Sequence, residues 1–131
     1  MTQATQHLVK HGIRPSMQRI AIMKYLMEHR THPTVDTIYS DLHHSMPTLS
    51  RTTVYNTLQV LAQNHAVTTL SIDGHATRYD GITQPHAHFM CRHCGRIIDL
   101  PLENLPAMPR NGLKVEQVEI NFTGRCDLCN Q

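Results

Sequence analysis

Two Cys-x-x-Cys pairs, Cys91-Arg-His-Cys94 and Cys126-Asp-Leu-Cys129, constrain this chain more than any other feature. Each pair places two thiols on one tight turn, and two such turns can close a tetrahedron around zinc at about 2.3 Å per bond. Residues 95–125 separate the pairs, a longer gap than in a usual zinc ribbon, so the turns must come from separate strand ends brought together by folding. Structural zinc contributes on the order of 10–16 kcal/mol, against roughly 5–15 kcal/mol for the total stability of a domain. A small β-unit around these cysteines could therefore depend on the metal. Disulfides or redox-active dithiols are the competing reading, but no βαβ pattern surrounds either motif, which favours zinc.

At 131 residues the chain suits one ordinary domain or two small ones. Hydrophobic residues at 40% and charged residues at 17% describe a globular protein, and no apolar run approaches the roughly 18 residues of a membrane span. Thr2, Gln3, Thr5, Gln6 and Lys10 interrupt any signal-like apolar core, so a soluble, cytoplasmic protein with no membrane partner is expected. The formal charge of +2 is unevenly spread: residues 1–64 hold six Lys/Arg against three Asp/Glu, and residues 65–131 six against seven. That bias favours nucleic acid only weakly, because a solvated helical surface also explains it. Eleven histidines beside four cysteines, in a reducing compartment, point to metal before disulfides.

The first half reads as helices. Ser16 can cap one with Met17, Ile20, Met23 and Met27 as its apolar positions, and Thr34 a second with Val35, Ile38, Tyr39 and Leu42. Ser50 can cap a third, whose stripe Val54, Leu58, Leu61 and Ala62 leaves Thr52, Tyr55, Asn56 and Gln59 facing outward. Val67–Ile72, a turn at Asp73-Gly74 and Ala76–Asp80 then form a hairpin. Three helices and a hairpin outline a winged helix-turn-helix. Beyond a boundary near Gly81–Pro85, His86–Cys91, Arg96–Leu100 and Leu113–Phe122 read as strands, with a stretch broken by Pro101, Pro106 and Pro109 before the last.

Two further constellations carry chemistry. His86 and His88 alternate by two, so on a strand both rings share a face, with Asp80 shortly before and Asp99 shortly after. Such a mixed N/O donor set suits Fe(II), Mn(II) or Zn(II), although a pair of surface histidines remains the plainer reading. His93 reads as a turn residue, and His7, His11, His29, His43, His44, His65 and His75 as solvated side chains. On the third helix, Tyr55, Asn56 and Gln59 fit base-edge contacts, with Arg51, Lys24 and Arg19 for phosphates.

The chain resembles the ferric uptake regulator superfamily over essentially its whole length. The residues that carry the resemblance are His32-Pro-Thr-Val-Asp-Thr-Ile-Tyr39, Ser50-Arg-Thr-Thr-Val-Tyr-Asn56, Arg78-Tyr-Asp80, His86-Ala-His-Phe-Met-Cys-Arg-His-Cys-Gly95 and Gly124-Arg-Cys-Asp-Leu-Cys129. The resemblance implies an α+β protein. A winged helix-turn-helix over residues 1–81 precedes a small α/β dimerisation domain over 82–131 with a three-stranded antiparallel sheet. It also implies structural zinc at Cys91, Cys94, Cys126 and Cys129, and a regulatory Fe(II) or Mn(II) ion at His32, Asp80, His86, His88 and Asp99.

In function, the resemblance implies a homodimeric repressor of palindromic double-stranded DNA, with no small organic substrate. Thr52, Tyr55, Asn56, Gln59, Arg51, Arg19 and Arg14 form the expected DNA-binding set, Arg14 by resemblance to a basic residue used near the minor groove. Aspartate at position 99 resembles the peroxide-sensing branch, in which bound Fe(II) leads to oxidation of His32 or His86; an iron- or manganese-responsive uptake regulator is the alternative. A metalloenzyme is disfavoured, since no HExxH helix and no evident general base accompany the His/Asp site. The chain departs from the family at Leu102–Pro109, which is short and proline-interrupted where relatives carry a long helix, and at Gln59, where many carry arginine.

Overall fold

A hydroxyl side chain opens every helix of the first half. In a computed structural model that describes residues 2–71, 76–81, 86–101, 111–115 and 118–131, these caps are Thr2, Ser16, Thr34 and Ser50. Each accepts the backbone N–H three residues on, an arrangement that stabilises a helix by about 1 kcal/mol. The helices are α1 (Gln3–Lys10), α2 (Met17–Glu28), α3 (Val35–His43) and α4 (Arg51–Gln63). After them come strands β1 (Thr68–Leu70), β2 (Arg78–Asp80), β3 (His86–Cys91), β4 (Ile97–Pro101) and β5 (Ile120–Gly124). None of the described helices is long and apolar enough to cross a membrane.

The chain divides into two compact units, Met1–Thr83 and Gln84–Gln131. In the first, Leu8, Ile22, Met23, Leu26, Ile38, Val54, Leu58 and Leu61 form the centre of one buried cluster. Helix α1 is an element that the hydrophobic periodicity does not predict. Its apolar content is slight, but Ala4 and Leu8, one turn apart, are both buried. Of the stripe expected for α2, Met23 is buried and Ile20 and Met27 pack partly buried against the cluster, but Met17 is 83% exposed, and Ile22, Tyr25 and Leu26 join the core beside them. The ribbon pairs β1 with β2 antiparallel, Thr69 opposite Tyr79; the expected Asp73-Gly74 turn lies outside the described residues. Gly81 ends the ribbon against α2, where a Cβ would sit 3.0 Å from the Leu26 carbonyl oxygen.

In the second unit the described strands form one sheet in the order β4-β3-β5. This sheet is mixed and not antiparallel throughout: β3 and β4 run antiparallel with His88 opposite Asp99, whereas β5 runs parallel to β3 with Cys91 opposite Gly124. The physical reason lies in the cysteines. Cys91 and Cys94 sit at the end of β3 and Cys126 and Cys129 just beyond the end of β5, so the pairs can meet only if those strands end at the same edge. The chain between β3 and β5, residues 92–119 with β4 within it, exceeds the dozen or so residues that a parallel pair needs between its strands. The last strand also begins later than the Leu113–Phe122 pattern suggests, at Ile120. The proline-interrupted Leu102–Pro109 stretch and the Ile82–Pro85 part of the boundary lie outside the described residues.

Candidate metal centres

The parallel pairing delivers the cysteines to one place. The four sulfur atoms lie within 4.8 Å of one another, and Cys94 Sγ and Cys126 Sγ are 3.9 Å apart. A tetrahedron with 2.3 Å metal–sulfur bonds has edges of about 3.8 Å, so the cluster has the dimensions of a four-thiolate zinc site. The turns are built by their own backbone: Gly95 N–H donates to Cys91 O, Arg92 N–H to Gly124 O, and Cys129 N–H to Cys126 O. Gly95 takes a φ of +78°, which glycine adopts without a steric penalty.

The thiols are electrostatically unequal. Backbone N–H groups of Cys94 and then Cys126 aim at Cys91 Sγ and hold its pKa down to about 5, with donor distances of 3.5 and 3.4 Å. Hydrogen bonding to the Cys126 sulfur, followed by burial, pushes Cys129 up to about 12. Arg96 spans the two turns, its Nη2 2.5 Å from Asp127 Oδ1.

A second donor set belongs to the first unit. His32 Nε2 lies 3.5 Å from Asp80 Oδ2, with both side chains 3% exposed. His32 occupies the left-handed region at φ +57°, a conformation that costs a non-glycine residue on the order of 1–3 kcal/mol and persists only where its surroundings enforce it. Strand β2 supplies that enforcement: Arg78 Nη1 donates to His32 O at 3.1 Å and Tyr79 N–H donates to Pro33 O at 3.0 Å. Neither Arg78 nor Tyr79 stands out from composition or spacing. Their one signal is membership of the Arg78-Tyr79-Asp80 block.

The third set is in the second unit. His86 and His88 share a face of β3, and Asp99 stands opposite His88 on β4. Asp99 Oδ1 lies 3.4 Å from His86 Nε2 and 3.3 Å from His88 Nε2, and the two rings meet edge to face with centroids 4.5 Å apart. Imidazole and carboxylate donors without a soft sulfur are a set for Fe(II), Mn(II) or Zn(II). Of the five ligands expected for the regulatory ion, the first unit brings together His32 and Asp80, and the second brings together His86, His88 and Asp99.

On α4 the expected face is present. Thr52, Tyr55, Asn56 and Gln59 are all exposed, and Gln59 Nε2 donates to the Tyr55 hydroxyl at 2.6 Å. Arg51 is engaged within the unit, its Nε 3.0 Å from Asp36 Oδ1 and its guanidinium over the Tyr39 ring. Arg19 Nη1 donates to the Arg14 carbonyl at 2.9 Å. Among the described residues, three histidines expected to be solvated are in fact bonded to backbone, His7 to Ala66 O at 2.7 Å, His11 to Asn64 O at 3.2 Å and His29 to Tyr25 O at 3.0 Å.

The Ferric uptake regulator family profile matches residues 10–123. The chain is 32% identical over 136 residues to the peroxide operon regulator of Bacillus subtilis, covering 100% of this chain and 94% of that protein. Among solved structures, PerR from Streptococcus pyogenes is similar at 31% identity and a TM-score of 0.54, over 95% of this chain and 88% of that one. The Helicobacter pylori ferric uptake regulator matches in fold at a TM-score of 0.70 and 22% identity, over 96% of this chain and 88% of that one. With the family's profile spanning nearly its whole length, the chain belongs to the ferric uptake regulator family.

Proposed function

We propose that this chain is a metal-dependent transcriptional repressor that acts in the cytoplasm as a homodimer on a palindromic DNA operator. Zinc held by Cys91, Cys94, Cys126 and Cys129 maintains the second unit. A regulatory Fe(II) or Mn(II) ion is held by His32 and Asp80 from the first unit together with His86, His88 and Asp99 from the second. Residues 1–81 then form a winged-helix DNA-binding domain, with the β1–β2 ribbon as wing, and residues 82–131 the dimerisation domain.

The observation that carries this reading is the division of donors. Two imidazole–carboxylate sets are each assembled within one unit, and two or three donors alone make a weak site. An ion that takes both sets gains five N/O donors and fixes the units relative to one another. In a dimer this sets the spacing of the two α4 helices, so metal and DNA favour the same state. Reciprocity requires each to tighten the other, typically by about 1–3 kcal/mol.

On α4, Thr52, Tyr55, Asn56 and Gln59 would address base edges, while Arg14, Arg19, Arg51 and Lys24 would meet phosphates. The hydrogen bond between Gln59 and Tyr55 holds the Gln59 amide in one orientation before DNA arrives.

Peroxide sensing is supported by the 32% identity to a peroxide operon regulator and by aspartate at position 99. Fe(II) held by His32, Asp80, His86, His88 and Asp99 would supply one-electron chemistry toward the O–O bond of hydrogen peroxide. The net change is then a two-electron oxidation of His32 or His86. The imidazole C2–H becomes C2=O, its proton moves to a ring nitrogen, one peroxide oxygen enters the ring and the other leaves as water. The oxidised ring is a poorer donor, the two units are no longer tied, and the operator is released.

The test is to treat Fe(II)-loaded and Mn(II)-loaded protein with dilute peroxide. The Fe(II) form should gain the mass of one oxygen atom on the peptide carrying His32 or His86 and lose operator binding, while the Mn(II) form keeps both its mass and its binding. Unchanged mass with retained binding in the Fe(II) form would refute peroxide sensing and favour a ferrous- or manganese-responsive uptake regulator.

A further inference from the structure

We propose that Arg78, which is not a metal ligand, is the positioning residue that prepares the first unit's donors for the metal. The proposal rests on the reading of His32 and Asp80 as ligands, and adds to it the means by which they are ready before any ion arrives.

His32 stands in a left-handed backbone conformation at φ +57° that few non-glycine residues hold unaided. Three consecutive residues of β2 grip that point. The Arg78 guanidinium donates to the His32 carbonyl at 3.1 Å, the Tyr79 backbone N–H donates to the Pro33 carbonyl at 3.0 Å, and the Asp80 carboxylate faces the His32 imidazole at 3.5 Å. The grip on Pro33 is made by backbone and survives any side-chain change. Among the described contacts, the grip on the His32 carbonyl comes from the Arg78 side chain, and it acts on the very residue whose ring must point at the metal.

Releasing the His32 carbonyl lets the peptide leave the left-handed region, and the imidazole swings with it away from Asp80. The metal would then have to restore that conformation on binding. Removing a partner of a ligating side chain typically changes metal affinity about 10–100-fold, and Arg78, which holds the backbone that carries the His32 ring, is expected to act within that range. The ion itself would make the same contacts once bound, so the effect appears in affinity and not in the ligand count.

The experiment compares wild type, Arg78→Ala, Arg78→Lys and His32→Ala as full-length, zinc-loaded proteins. Mn(II) affinity is read from loss of the free-ion electron paramagnetic resonance signal, and the melting temperature is read without Mn(II). Arg78→Ala should bind Mn(II) about 10–100-fold more weakly while melting within a few degrees of wild type. Arg78→Lys, which keeps one N–H donor for the carbonyl, should recover most of the affinity. Equal Mn(II) affinity in Arg78→Ala and wild type, with His32→Ala weakened, overturns the positioning role alone. Weakening in Arg78→Ala that tracks a large fall in melting temperature, without recovery in Arg78→Lys, also overturns it. Unchanged affinity in His32→Ala overturns the ligand reading on which the proposal stands.

Discussion

The His32 imidazole and the Asp80 carboxylate face each other across 3.5 Å, and each side chain is only 3% exposed. A buried pair of this kind must find its partners inside the protein, because a polar group removed from water is costly unless it is paired. Here the pair sits beside a loop whose backbone is itself forced into a left-handed turn at His32.

That turn predicts an order among substitutions. His32→Gly and His32→Ala both remove the imidazole, but glycine accepts φ +57° without a steric penalty. The metal-free His32→Gly protein should therefore be more stable than His32→Ala by about 1 kcal/mol, as measured by urea unfolding monitored by circular dichroism. Equal stability, or a more stable alanine variant, would show that the loop does not hold the strained conformation.

Gly81 predicts a steric effect with no contribution from φ. A methyl group there would lie 3.0 Å from the Leu26 carbonyl oxygen and 3.2 Å from its carbon, and these backbone atoms cannot rotate away. Gly81→Ala should destabilise the first unit by about 1–3 kcal/mol, seen as a lower denaturant midpoint with an unchanged slope.

The cysteine cluster predicts a pH dependence with a definite sign. In metal-free protein Cys91 is lowered from 9.0 to about 5, so its contribution to stability is present above the ordinary thiol value and is lost as pH falls from 9 toward 5. Cys129 is raised from 9.0 to about 12, so its contribution is present below that ordinary value and is lost as pH rises from 9 toward 12. Zinc must displace the protons that remain, Cys129's above all, and its affinity therefore rises with pH. Competition against a chromophoric chelator should give tighter zinc binding at pH 8 than at pH 6.

Losing a cysteine predicts selective unfolding. The described helices α1–α4 belong to the first unit, and the β4-β3-β5 sheet belongs to the second. With zinc worth on the order of 10–16 kcal/mol, Cys126→Ser should abolish amide-exchange protection in β3 while the helical signal at 222 nm survives. Loss of protection in α2 and α4 to the same degree would contradict that division.

On DNA, Asn56→Ala or Gln59→Ala should cost about 1–3 kcal/mol of operator affinity and relax sequence preference. Arg14→Ala should instead weaken binding to all sequences and reduce the salt slope by about 1. Fluorescence anisotropy over a salt series separates the two outcomes.

Much of the fold is legible in the sequence because its signals are local. Ser16, Thr34 and Ser50 mark helix starts by side chains that bond their own backbone, and the outward face of α4 follows from helical spacing alone. Helix α1 is not legible: Ala4 and Leu8 are too few apolar positions to stand out, and their burial depends on partners elsewhere in the core cluster. The α2 stripe holds at Met23, Ile20 and Met27 but not at Met17: methionine and isoleucine occur all round that helix, so only packing decides that Met17 faces water while Ile22 does not. The sheet direction is present in the positions of the cysteines, each pair lying at a strand end, but reading the strands one at a time hides it. His32 does not emerge from spacing, since its partner Asp80 comes from the far side of three elements.

The claim that one ion joins donors of both units is tested most directly by a double-mutant cycle on Mn(II) binding with His32→Ala and His86→Ala. Shared ligation predicts one lost Mn(II) site in either single variant, and a double variant scarcely worse than either single one. Additive losses, or a full Mn(II) equivalent retained in one single variant and a different one in the other, would mean that the two units hold separate ions.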